Sequence, residues 1–154
     1  MLAVGDKAPS FTLSDQDGKP VSLKSLLSEG AVVLYFYPKD DTPGCTKEAC
    51  SFRDDFRAFK KAGAQIVGVS TDSAATHTKF RVKYDLPFTL LADTDKAVVE
   101  SYGVWKDKVL YGRKYKGVER STFVIDKKGV VRAVFPKVKV DGHSDQVLEA
   151  VKAL

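Results

Sequence analysis

The chain has 154 residues, 44% of them hydrophobic and 29% charged, which suits one folded domain over 1–154 with a real buried core. Its net charge of +5 comes from groups scattered at Lys60–Lys61, Lys106 and Lys108, Arg113–Lys116, Lys127–Lys128, and Lys137 and Lys139. Acidic residues lie between them, so a solvated basic surface is expected and no nucleic-acid partner. Two cysteines are too few for a disulfide framework. The longest apolar run, Ala31–Tyr37, is far short of a membrane span, and the first residues lack the order of a signal peptide. A cytoplasmic setting with no membrane partner is expected.

Phe11–Leu23 predicts an N-terminal β-hairpin, with short alternating strands around an Asp17–Gly18 turn. Ala31–Tyr37 is a continuous apolar, β-branched and aromatic run, the mark of a strand buried on both faces, and Pro38 ends it. A long helix follows from about Pro43 to Ala62, stopped by Gly63 and carrying Lys60 and Lys61 in its last turn. Ala64–Ser70 predicts a second buried strand, Ser73–Asp85 a helix, Phe88–Asp93 a short strand and Lys96–Val104 another helix. Arg120–Asp126 and Gly129–Phe135 predict a second hairpin. Ser144–Leu154 predicts a closing amphipathic helix with Ser144 at its N-cap. This order implies an α/β fold, a mixed sheet covered by helices on both faces. A βαβ unit followed by a ββα unit is the thioredoxin-like arrangement.

Both cysteines fall in the segment DDTPGCTKEAC, Asp40–Cys50. Thr42 suits an N-cap, and Pro43 suits the first helical position, where its missing N–H costs nothing. Gly44 adds no side chain, and Cys45 then falls in the first turn, near unpaired N–H groups and the positive end of the helix dipole. Those conditions favour thiolate. At ~100° per residue, Cys45, Ala49, Phe52, Phe56 and Phe59 share one stripe, which puts Cys45 at the foot of an apolar face. Cys50 lies about 140° round from it, and in a regular helix the two Cα atoms would be roughly 8–9 Å apart, beyond disulfide reach. This spacing also disfavours zinc, because His77 and His143 are remote in sequence and are expected at a surface or a helix start. Asp40 and Asp41 would raise the pKa of a nearby thiol, so they are expected to face solvent.

The string YPKDDTPGCTKEAC resembles the active-site pattern P-x-x-x-T-x-x-C of the peroxiredoxins through Pro38, Thr42 and Cys45. With a second cysteine five positions on, it is similar to the Q-type, or bacterioferritin comigratory protein, branch. VGDKAPSFTL, VGVSTDS, ADTDKAV, YGVW and RSTFVID extend the likeness over nearly the whole chain. The resemblance implies a thiol-dependent peroxidase that reduces hydrogen peroxide and organic hydroperoxides. Cys45 would be the peroxidatic cysteine and pass through a sulfenic acid. Cys50 would resolve it as an intramolecular disulfide, and a thioredoxin- or glutaredoxin-type reductant would restore the dithiol. By the same likeness Thr42 and Arg120 orient peroxide and stabilise charge, while Pro38, Gly44 and Glu48 complete the pocket, Glu48 by holding Arg120. A monomer with no metal, haem or flavin is implied.

Two other functions compete. A thioredoxin-like thiol-disulfide oxidoreductase would use the same fold, but its usual C-x-x-C spacing is absent. A basic binding domain lacks the interleaving of aromatic and basic residues expected of it.

Overall fold

The computed structural model describes residues 2–154. The strands are β1 (Thr12–Asp15), β2 (Pro20–Ser22), β3 (Ala31–Phe36), β4 (Ala64–Ser70), β5 (Thr89–Ala92), β6 (Trp105–Leu110), β7 (Arg113–Val118), β8 (Ser121–Ile125) and β9 (Val131–Phe135). The helices are α1 (Leu23–Leu27), α2 (Pro43–Asp54), α3 (Phe56–Lys61), α4 (Ala74–Lys83), α5 (Ala97–Ser101) and α6 (His143–Lys152).

Seven strands form one sheet in the order β2-β1-β5-β4-β3-β8-β9. β3 pairs in parallel with β4, and β4 with β5, while the other pairs are antiparallel, so the sheet is mixed as expected. The β3–α2–α3–β4 crossover followed by β8–β9–α6 supplies the βαβ and ββα units. Every residue of β3 is buried. Its alternation sends Ala31, Val33 and Tyr35 into a core shared with α2, α3, α4 and α6. Val32, Leu34 and Phe36 go to the opposite core, beside Leu23 and Leu26 of α1 and Val98 and Val99 of α5. A strand at the centre of a two-faced sheet has no polar side to spare, which is why its sequence is apolar throughout.

The N-terminal hairpin is β1–β2, turned at Gly18 with φ +77° and joined to the sheet through β5. Several expectations need correction. The helix expected to run unbroken to Ala62 divides at Asp55, whose φ and ψ are −97° and 6°. There the Asp55 carboxylate accepts the Ser144 hydroxyl at 2.7 Å. Ser144 is therefore not a cap: α6 starts one residue earlier, after Gly142, and the Ser144 side chain is spent on Asp55. Neither α1, capped by the Ser22 hydroxyl, nor the β6–β7 hairpin was expected. The hairpin sequence WKDKVL–RKYKGV is interleaved with charge, and it lies outside the main sheet, where no apolar face reveals it.

Candidate active site

β3 ends at Phe36 beside Ser121, the first residue of β8, so Arg120 is delivered to the same edge of the sheet from which α2 departs. Pro38 is half-buried in the connecting loop. Cys45 lies in the first turn of α2, only 2% exposed, with Ala49, Phe52 and Phe59 buried beneath it along the expected stripe. Phe56, just past the break at Asp55, is only partly buried.

The Arg120 guanidinium is split between two partners. Nη2 donates to Cys45 Sγ at 3.3 Å and Nη1 to Glu48 Oε1 at 2.7 Å. Against the cost of its own burial, Arg120 is held above its ordinary pKa by Glu48 and by the Cys45 sulfur. Glu48 sits one turn beyond Cys45, 1% exposed, and its second oxygen has no partner among the described residues. Burial pushes its carboxyl up to about 7, against the pull of Arg120. A fixed cation aimed at sulfur in a dry pocket can stabilise thiolate, and it can also stabilise negative charge on an oxygen bound next to it.

Gly44 makes room for this arrangement. A Cβ built there would meet Arg120 Nη2 at 3.1 Å. Thr42 is extended at the head of α2 and its carbonyl accepts from Thr46 N–H, but its side chain does not cap the helix. Its hydroxyl instead donates to the Lys39 carbonyl at 2.8 Å. With the hydrogen committed there, the oxygen lone pairs remain free to accept. Cys50 is half-buried further along α2, and both cysteines are free thiols.

These features have counterparts in known proteins. The chain matches the AhpC/TSA family over residues 4–134. It is 56% identical over 147 residues to a putative peroxiredoxin bcp of Coxiella burnetii, covering 96% of this chain and 97% of that one. It is 46% identical over 151 residues to peroxiredoxin Bcp of Bacillus subtilis, covering 98% and 96%. Its fold superposes on the bacterioferritin comigratory protein of Xanthomonas campestris, studied for alkyl peroxide reduction, with a TM-score of 0.88 and 43% identity, covering 93% of this chain and 90% of that one. The chain belongs to the peroxiredoxins, in the Bcp and Q branch. It is therefore a thiol-dependent peroxidase, and its fold is the thioredoxin-like one.

Beneath the loop of this peroxiredoxin lies a network that the sequence did not suggest. His77 is fully buried, not at a surface, and Asp40 is only 9% exposed. His77 Nδ1 lies 2.6 Å from Asp40 Oδ2, and Nε2 lies 2.8 Å from the Leu91 carbonyl. The Tyr37 hydroxyl, held protonated above all by burial, donates to the other Asp40 oxygen at 2.5 Å. The Asp40 backbone N–H and the Ser70 hydroxyl both donate to Asp72. A carbonyl can only accept, so Nε2 is the ring nitrogen placed to donate, and Nδ1 faces the Asp40 carboxylate. Asp40 therefore points inward, contrary to expectation, because it is paired there and not left as a bare charge. Asp41 does lie at the surface, bound by Lys83 and Tyr84.

Asp40, Asp72 and His77 are the one group of metal-capable side chains that converge among the described residues, and they include neither cysteine. His143 is also buried, with Nε2 2.8 Å from the Thr122 hydroxyl. Burial and then Arg120 push its imidazole down to about 4. Nothing near either histidine in sequence signals these partners, which lie 37 and 21 positions away.

Proposed function

We propose that Cys45 is the peroxidatic residue and Cys50 the resolving one. Arg120 supports the first assignment best, since its guanidinium donates directly to Cys45 Sγ while Glu48 fixes it from the other side. The Cys45 thiolate attacks the terminal oxygen of a hydroperoxide and the O–O bond breaks heterolytically. That oxygen stays on sulfur as sulfenic acid, and the other leaves as alkoxide or hydroxide and takes up a proton. Arg120 stabilises thiolate first and the leaving oxygen afterwards. Thr42, whose hydrogen is committed to Lys39, accepts the hydrogen of the peroxide hydroxyl and so orients it. Pro38 and Gly44 bound the pocket, Gly44 by leaving space for the guanidinium.

The Cys50 thiolate then attacks the Cys45 sulfur, forming the intramolecular disulfide and expelling hydroxide, which takes up a proton and leaves as water. A thioredoxin- or glutaredoxin-type dithiol returns two electrons and two protons. The chain acts as one domain, as a monomer and in the cytoplasm. No helix of the described residues is long and apolar enough to cross a membrane. The test is steady-state reduction of hydrogen peroxide and of an alkyl hydroperoxide with thioredoxin and its reductase. Cys45→Ser is expected to abolish consumption, and Cys50→Ser to stop after one equivalent unless a small thiol is supplied. Turnover by Cys45→Ser would refute the assignment.

A further inference from the structure

The β6–β7 hairpin carries a feature that the peroxidase reaction does not use. Its two strands form a sheet of their own, and its end is apolar and open: Val109, Leu110 and Tyr111 are 67%, 55% and 97% exposed. Arg113 and Lys114 stand directly opposite Leu110 and Val109 at this tip, and Lys106, Lys108 and Lys116 lie behind it with the single carboxylate Asp107. The hairpin thus holds four of the chain's five net positive charges. These charges lie close together in the sequence, and the pairing of β6 with β7 sets them on one ribbon.

The register shows how they are arranged. Leu110 opposite Arg113, Lys108 opposite Tyr115 and Lys106 opposite Gly117 share one face. Val109 opposite Lys114, Asp107 opposite Lys116 and Trp105 opposite Val118 share the other. Each face mixes charge with apolar groups, so neither has the charge-depleted centre of a protein–protein interface. Along the ribbon, the exposed Val109, Leu110 and Tyr111 form the tip with Arg113 and Lys114 beside them, further lysines and Tyr115 follow on the shaft, and Val118 is buried at the base. A second copy of this chain would bring like charge against like.

Exposed apolar residues at a tip flanked and followed by cations are the arrangement that seats at an anionic bilayer interface. We propose that the β6–β7 hairpin docks end-on at an anionic membrane surface, with Leu110 and Tyr111 among the headgroups and the cations on lipid phosphates. The expectation of no membrane partner rested on the lack of a spanning segment, which peripheral docking does not need. Docking also orients the site. Arg120, which donates to Cys45 Sγ, follows β7 by two residues, so the hairpin base adjoins the residue that contacts the cysteine.

The test is partition of the full chain onto sedimenting vesicles of phosphatidylcholine, alone or with about a third phosphatidylglycerol. It is read without turnover, so it stands or falls independently of the roles assigned to the cysteines. Partition onto the anionic vesicles is expected, weakening as salt rises. Leu110→Ser with Tyr111→Ser should lower it by about tenfold with every charge intact. Lys114→Ala and Lys116→Ala should each lower it by about fivefold. Hydrogen peroxide turnover in solution should be unchanged in all these variants, which checks that they fold. Equal partition onto neutral and anionic vesicles, or wild-type partition by the tip variant, would overturn the proposal. So would a hairpin that ignores vesicles yet binds an acidic protein.

Discussion

At the scale of single residues, the site turns on how Arg120 divides its charge between Cys45 and Glu48. Replacing it by alanine removes the charged donor to sulfur, and a fall in kcat/KM for peroxide of about 10²-fold or more is expected. Lysine should recover little, because one ammonium cannot reproduce the two-armed contact. Gly44→Ala separates activity from stability. The new methyl crowds Nη2 at 3.1 Å, so peroxide turnover should fall several-fold. In the first turn alanine favours the helix by less than the ~1 kcal/mol of an interior position, so the urea midpoint should change little. Glu48 gives a pH signature. Its carboxyl goes from 4.5 unfolded to about 7 folded, so the native state binds the extra proton. The stability this confers is complete below pH 4.5 and lost as pH rises through 7, about 3 kcal/mol across the window. Urea midpoints of the reduced protein at pH 5 and 7.5 should show that decline, and Glu48→Gln should flatten it.

At the scale of the element, α2 is continuous from Pro43 to Asp54 with both thiols free, so a Cys45–Cys50 bond requires its first turns to unwind. The break at Asp55 gives that unwinding a natural limit, since α3 can stay docked through Phe59 while α2 opens. What must release is the exposed Lys47–Asp141 pair and the buried Glu48–Arg120 contact. Exposed pairs are worth little, so Asp141→Ala should speed disulfide formation only severalfold after one equivalent of peroxide, followed by loss of free thiols. Amide exchange over residues 43–50 should be faster in the oxidised protein. The stripe from Cys45 to Phe59 was legible because helical periodicity is a local property. The break at Asp55 was not, and the side chain that Asp55 meets there, Ser144, lies 89 positions away. The β6–β7 hairpin was missed for a related reason: its strands are charged along most of their length and are buried mainly at the base, at Val118.

At the scale of the whole molecule, the mixed sheet between helices and the place of the cysteines at the start of α2 followed from apolar runs and from the family pattern in Pro38–Cys45. The inward turn of Asp40 did not, because a carboxylate in a loop reads as solvated until its partner is known. That partner ties four elements together. Asp40 sits in the β3–α2 loop, His77 on α4, Leu91 on β5, and Asp72 just after β4. The loop leading to Thr42 and Cys45 is thereby anchored to the body of the sheet by a buried hydrogen-bonded pair, and not by apolar packing alone. Removing one member leaves the other buried and uncompensated. His77→Ala should therefore destabilise the reduced protein by about 3 kcal/mol or more, lowering Tm by roughly 6–12 °C. Asp40→Asn should cost less, since an amide can still meet Tyr37 and one ring nitrogen. In the double variant the two losses should fall well short of additive, because the second substitution removes a group that the first has already stranded. Thermal unfolding of the four proteins under reducing conditions measures this, and full additivity would show that the pair is not coupled.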